Sequence, residues 1–130
     1  MKTENPVVWF EIYVEDLKRA QKFYETVFQL EMNELPMPES ADDAMQMLFF
    51  PSNMESKNKT SGALVKMEGF KAGNNSTIVY FASEDCSVEE TRIKDAGGEV
   101  FKSKTSLGEY GFMVLANDTE GNMFGIHSME

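Results

Sequence analysis

The sequence predicts an α+β fold: two β-α-β-β-β modules, roughly residues 5–68 and 76–129, in a single domain over 5–130. Three observations lead to it. The chain echoes itself, because Trp-Phe-Glu-Ile-Tyr-Val-Glu-Asp-Leu at 9–17 returns as Ile-Val-Tyr-Phe-Ala-Ser-Glu-Asp-Cys at 78–86. Each copy is followed by a stretch with apolar residues at helical spacing. Each such stretch then leads into further strand-like runs. A period of about 69 residues is too long for a solenoid and suits two half-domain units, which usually hold a site between them.

The first predicted strand is 7–14. Its alternation puts Trp9, Glu11 and Tyr13 on one face and Phe10, Ile12 and Val14 on the other. Asp16 is suited to cap the helix that follows. Leu17, Ala20, Tyr24, Val27 and Phe28 form the apolar stripe of that helix and are the natural partners of Phe10, Ile12 and Val14. The face bearing Trp9, Glu11 and Tyr13 is left looking the other way. Residues 31–35 make a short strand, ended by Pro36-Met37-Pro38. A Met- and Phe-rich strand is expected at 44–50, a polar turn at 51–60 and a fourth strand at 61–67. Two glycines and two asparagines make 69–75 the link between the modules.

The second module opens with a strand at 77–82. Ser87-Val88-Glu89-Glu90 matches a capping box, Ser with Glu three residues on. The helix should run to about Ala96 and stop at Gly97-Gly98, with Val88, Ile93 and Ala96 as its weaker stripe. Cys86 stands where Leu17 stands in the first module and is expected to be a small buried apolar residue. The last three strands are expected at 99–102, 111–116 and 123–128. A tight acidic turn over 117–122 precedes the final one.

Composition narrows the function. A formal charge of −10 disfavours nucleic acid and anionic membranes as partners, because the field repels polyanions. With Cys86 the only cysteine, an intrachain disulfide is impossible and nothing points to an oxidising compartment. The first residues lack a signal-peptide pattern and no apolar run approaches membrane-spanning length. The expected location is the cytoplasm.

Three motifs, Phe10-Glu-Ile-Tyr-Val-Glu-Asp-Leu17 with Phe23-Tyr24, Ala96-Gly-Gly98, and Asp118-Thr-Glu-Gly-Asn-Met-Phe-Gly125, occur in order across nearly the whole chain. In these the sequence resembles the vicinal oxygen chelate superfamily, which includes glyoxalase I, extradiol dioxygenases, fosfomycin-resistance enzymes and bleomycin-binding proteins. The start and the Gly-Asn-x-Phe-Gly ending most resemble small glyoxalase-like proteins. The resemblance implies curved sheets around a shared cleft and, for a chain of this length, a homodimer. In metal-dependent members it also implies a divalent cation held by His and Glu from the first and last strands of each module.

This chain departs from that ligand set. The corresponding positions fall on Trp9, on Ile78, on Gly125 and near Gly62 or Ala63, none of which binds a hard or borderline cation. A single His in the chain leaves a two-His site impossible within one protomer. No metal and no cofactor are expected. If the strand phase holds, Trp9, Glu11, Tyr13, Ile78, Tyr80, Ala82, Gly125, His127 and Met129 face the cleft. Trp9, Tyr13, Ile78, Tyr80 and Gly125 would then line the site of a small organic ligand, and the aromatic faces would also receive a cationic group. Glu11 and His127 are the candidates for general acid–base chemistry. The alternative gives Glu11 an anchoring role and leaves His127 solvated. The expected function is a binder or metal-independent enzyme, against a metal-dependent lyase or dioxygenase with an atypical site.

Overall fold

A computed structural model describes residues 4–34, 45–53, 55–56 and 60–130. The elements run β1 (Trp9–Tyr13), α1 (Leu17–Phe28), β2 (Met45–Phe49), β3 (Ser61–Met67), β4 (Tyr80–Ala82), α2 (Cys86–Ile93) and β5 (Glu99–Ser106). A 3-10 turn (Gly108–Tyr110), β6 (Phe112–Asn117) and β7 (Met123–Ser128) complete the chain. Two sheets result, in orders β1-β3-β2 and β4-β7-β6-β5. β1 runs parallel to β3, and β4 runs parallel to β7 with Tyr80 opposite Gly125 and Ala82 opposite His127. Each module thus places its first strand at a sheet edge. The fold is the predicted α+β arrangement of two small curved sheets with one helix each.

Two local expectations need correction. The predicted strand at 31–35 shrinks to a single bridge, Asn33 with Phe49. The Met32 amide donates to the Glu25 carboxylate at 2.9 Å, so the ladder does not extend through it. Leu35, Pro36-Met37-Pro38 and Ala44 lie outside the described residues. The capping box at Ser87 and Glu90 does not form either. Asp85 is the N-cap of α2 and accepts from the Ser87 amide (3.0 Å) and hydroxyl (2.7 Å). The Glu90 carboxylate accepts instead from the Lys104 amide. Asp85 is the repeat-mate of Asp16, which caps α1 as expected by accepting from the Arg19 amide. The internal echo was the better guide to the cap than the four-residue pattern.

Alternation along β1 fixes what faces where. Ile12 and Val14 are buried and Phe10 packs beside them against Ala20, Phe23, Tyr24 and Val27 of α1. The two modules share this core. Phe81 of β4 meets Phe28, Phe50, Tyr24 and Phe10 with ring centroids at 4.6, 5.6, 5.8 and 6.1 Å, and Phe124 of β7 meets Tyr24 at 5.8 Å. Such aromatic clusters bury large areas in tilted and edge-on geometries. Cys86 is fully buried here, as its place in the echo implied. With the inward side chains so committed, Trp9 and Glu11 of β1 and Tyr80 of β4 are turned out of the core and exposed.

The regular part of α2 ends at Ile93, and the chain turns through Gly97 at φ +100 before Gly98 donates to the Ile93 carbonyl. Gly98 has no room for a side chain, since a Cβ would lie 2.4 Å from the Asn117 carbonyl oxygen and 2.6 Å from the Phe23 ring. Gly98→Ala should therefore cost about 1–3 kcal/mol as an overpacking change. Denaturant unfolding would read this as a lower midpoint at unchanged slope.

Candidate ligand-binding cavity

The edges of β1 and β4 border a cavity of about 790 Å³. Its lining includes Trp9, Glu11 and Tyr13 from β1, Ile78 and Tyr80 in and before β4, Asn75 and Asn122 from the connecting turns, and Met123 at the start of β7. The size and the mostly apolar lining suit a drug-sized organic molecule.

Strand alternation puts Trp9, Glu11 and Tyr13 side by side, and they form one hydrogen-bonded group. The Trp9 indole N–H donates to Glu11 Oε2 at 3.2 Å and the Tyr13 hydroxyl donates to Oε1 at 2.8 Å. The bond to the Glu11 carboxylate, assisted by burial, raises the Tyr13 pKa above its usual 10.0, so Tyr13 stays a phenol and a donor. Phe70 stacks on Tyr13 at 4.9 Å, and Trp9 tilts against Phe49 at 5.9 Å.

Gly125 and His127 occupy a different place. Both lie on β7, one strand in from the edge, and neither lines the cavity. The Tyr80 ring lies over Gly125, where an added Cβ would come within 2.3 Å of it. His127 Nε2 is paired with the Tyr110 carbonyl oxygen at 2.7 Å, while Glu11 is engaged with Trp9 and Tyr13. The structure therefore gathers Trp9, Glu11, Tyr13, Ile78 and Tyr80 around one cavity, with Gly125 as the seat of Tyr80. It does not bring Glu11 and His127 into a hydrogen-bonded pair.

What holds β1 beside the second module is the turn 117–122, read from sequence only as an acidic turn. Glu120 Oε1 accepts from the Glu15 and Asp16 amides at 2.9 Å each, and its carboxylate takes Arg19 in a bidentate pair at 2.7 and 3.0 Å. Burial pushes its pKa up, but Arg19, the Asp16 amide, Thr119 and the Glu15 amide outweigh this and hold it down to about 2. Asp118 accepts from the Tyr24 hydroxyl (2.7 Å) and from the amides of Glu120 and Asn122. Burial raises the pKa of Asp118 and sends that of Tyr24 well above its ordinary value. Asn122 donates to the Tyr13 carbonyl and accepts from the Gly73 amide, while Asn75 bridges Thr77 and Met123. Side-chain bonds to backbone more than a hundred positions away leave no local trace. The one signal was the crowding of Asp, Glu and Asn around Gly121 (φ +79) in five residues.

The residues present do not fit a divalent cation. Trp9 presents an indole whose nitrogen lone pair belongs to the ring and whose N–H is already donated to Glu11. Ile78 and Gly125 offer no donor side chain. Ala63, opposite Glu11 in the parallel ladder, offers none either. Among the described residues, no group of three or more His, Cys, Asp or Glu side chains is placed to hold an ion.

Two β-α-β modules with a cavity along the seam of their first strands make up a glyoxalase-like fold. The fold is that of the vicinal oxygen chelate superfamily, as the three sequence motifs implied. Residues 7–42 match the family described as bleomycin resistance protein-like N-terminal. A hypothetical protein from S. aureus superposes with a TM-score of 0.70 at 16% identity, over 97% of this chain and 95% of that one. Glyoxalase I from Zea mays gives 0.70 at 21% identity over 94% of this chain, which spans 44% of the maize chain. An antibiotic binding protein from a Streptomyces species gives 0.62 at 16% identity, over 98% of both chains. At these identities the likeness is one of fold. No curated protein matches the sequence.

Proposed function

We propose that this protein binds a small, largely apolar organic molecule in the cavity between β1 and β4, without a resident divalent cation. The observation that carries the reading is the substitution of indole, alkyl and hydrogen (Trp9, Ile78, Gly125) at the positions where the metal-dependent members keep their ligands. The antibiotic binding protein of the same fold lends support, since it shows binding as one use of this architecture. Sequestration is favoured over catalysis because Glu11 and His127, the candidate proton-transfer groups, are engaged with different partners.

A homodimer in the cytoplasm completes the proposal. Among the described residues, no helix is long and apolar enough to cross a membrane. Tyr110 and Met129 are exposed at 69% and 64%, apolar surface that a second copy would cover.

Metal analysis of the purified protein combined with a thermal-shift screen of small aromatic compounds tests the reading. The expected result is less than stoichiometric divalent metal and at least one compound that raises Tm in the wild type but not in Trp9→Ala. A stoichiometric ion whose removal abolishes ligand-induced stabilisation would contradict it.

A further inference from the structure

Glu11 is a fixed, unneutralised carboxylate in an aromatic cavity. Its two oxygens are held by neutral donors from its own strand, the Trp9 N–H and the Tyr13 hydroxyl. These bonds orient the charge without cancelling it. The ion pairs present among the described residues are Arg19–Glu120 and Lys104–Asp85, neither of them in the cavity. Lys71 also lines the cavity and, like Glu11, is exposed, but it is not within ion-pair distance of the Glu11 carboxylate. Trp9 beside Glu11 and Tyr80 on the other edge are 43% and 48% exposed, leaving ring surface free.

A carboxylate among open aromatic faces is the recognition pattern for a nitrogen cation. The π-faces attract it electrostatically and more strongly once water is excluded, and the carboxylate adds a charge-assisted contact. The overall charge of −10 raises the local concentration of cations and lowers that of anions.

Resting on the binding function proposed above, we infer that the ligand is a cation: a planar apolar molecule carrying a permanent or protonated nitrogen. Its charge sits against Glu11 and its faces against Trp9 and Tyr80. Glu11 is thus the specificity-determining residue of the cavity, and the aromatic side chains supply the stacking affinity that a neutral planar molecule shares.

The test compares N-methylacridinium with neutral acridine, at a pH where acridine carries no charge. Fluorescence titration of the full chain would be run for wild type, Glu11→Gln and Tyr80→Ala. Wild type should bind the cation about tenfold more tightly than acridine. Glu11→Gln should bring the two affinities within about twofold of each other by weakening the cation far more than acridine. Tyr80→Ala should weaken both. Raising salt from about 50 to about 500 mM should weaken only the cation in wild type, a readout that needs no variant to fold. Equal binding of both probes by wild type, or a preference that survives Glu11→Gln, would overturn the inference and leave the cavity a neutral binder. Binding of neither probe would remove the cavity reading and this inference with it.

Discussion

Glu120→Gln should destabilise the protein by about 3 kcal/mol and lower Tm by roughly 10 °C. The side chain of Glu120 is fully buried whereas that of Arg19 is half exposed, so the two ends of the pair are not equivalent. Losing the carboxylate leaves the Arg19 guanidinium and the Glu15 and Asp16 amides competing for one amide oxygen, and puts an amide N–H where an acceptor is needed. Losing the guanidinium in Arg19→Ala leaves Glu120 with two backbone donors and the Thr119 hydroxyl, and should cost only about 1 kcal/mol. Calorimetry on both variants separates the effects. Similar losses in the two would show that Glu120 is not the anchor.

The same residue sets an acid limb. Its pKa falls from 4.5 to about 2 on folding. Its stabilisation is therefore complete above about pH 4.5 and is lost as pH falls toward 2. Water around the half-exposed Arg19 reduces the contribution to the order of 1–2 kcal/mol. Asp118, whose pKa burial raises, acts with the opposite sign, since protonation favours its buried form. Denaturant midpoints measured across this range should fall steeply in wild type and more gently in Glu120→Gln. Parallel profiles would show that the limb belongs to other carboxylates.

The second large effect is on the cavity. Gly125→Ala places a methyl where the Tyr80 ring now lies, within 2.3 Å of ring carbon. Tyr80 sits on an edge strand and is half exposed, so the ring can swing away instead of unfolding the sheet. The variant should keep most of its stability, losing about 1 kcal/mol. It should also lose about tenfold or more in ligand affinity, because a displaced ring no longer forms its side of the cavity. Titration of the compound found in the thermal-shift screen reads this directly. Unchanged affinity with a lowered Tm would show that Gly125 serves packing alone and that Tyr80 contributes nothing to binding.

How far the sequence carried the structure follows from the range of each interaction. Strand phase and helix stripe are local, so the alternation that sends Phe10 and Ile12 inward and Trp9 and Glu11 outward was legible. So was the shared face of Trp9, Glu11 and Tyr13, two residues apart on one strand, though not the hydrogen bonds that tie Glu11 to the other two. The cap at Asp85 was also present, in the echo of Asp16, and was obscured by a nearby pattern of Ser and Glu. Gly125 and His127 mark the limit of periodicity. Alternation gives the face of a strand but not its distance from the edge, and β7 lies behind Tyr80 of β4. The clasp made by Glu120, Asn122 and Asn75 was out of reach because, side chains such as Arg19 and Thr119 aside, its partners are backbone groups, which carry no residue identity. The ligand positions were readable only through the family resemblance, which supplied the places for Trp9, Ile78 and Gly125 to be checked.

The central claim is that the hollow between the two first strands accepts an organic molecule and has no place for a metal ion. A crystal structure of the protein grown with N-methylacridinium in buffer containing zinc and magnesium tests it most directly. The prediction is the probe lodged between Trp9 and Tyr80 with its nitrogen near Glu11, and no ion between the modules. A divalent ion coordinated in the hollow, or the probe bound on another surface, would contradict it.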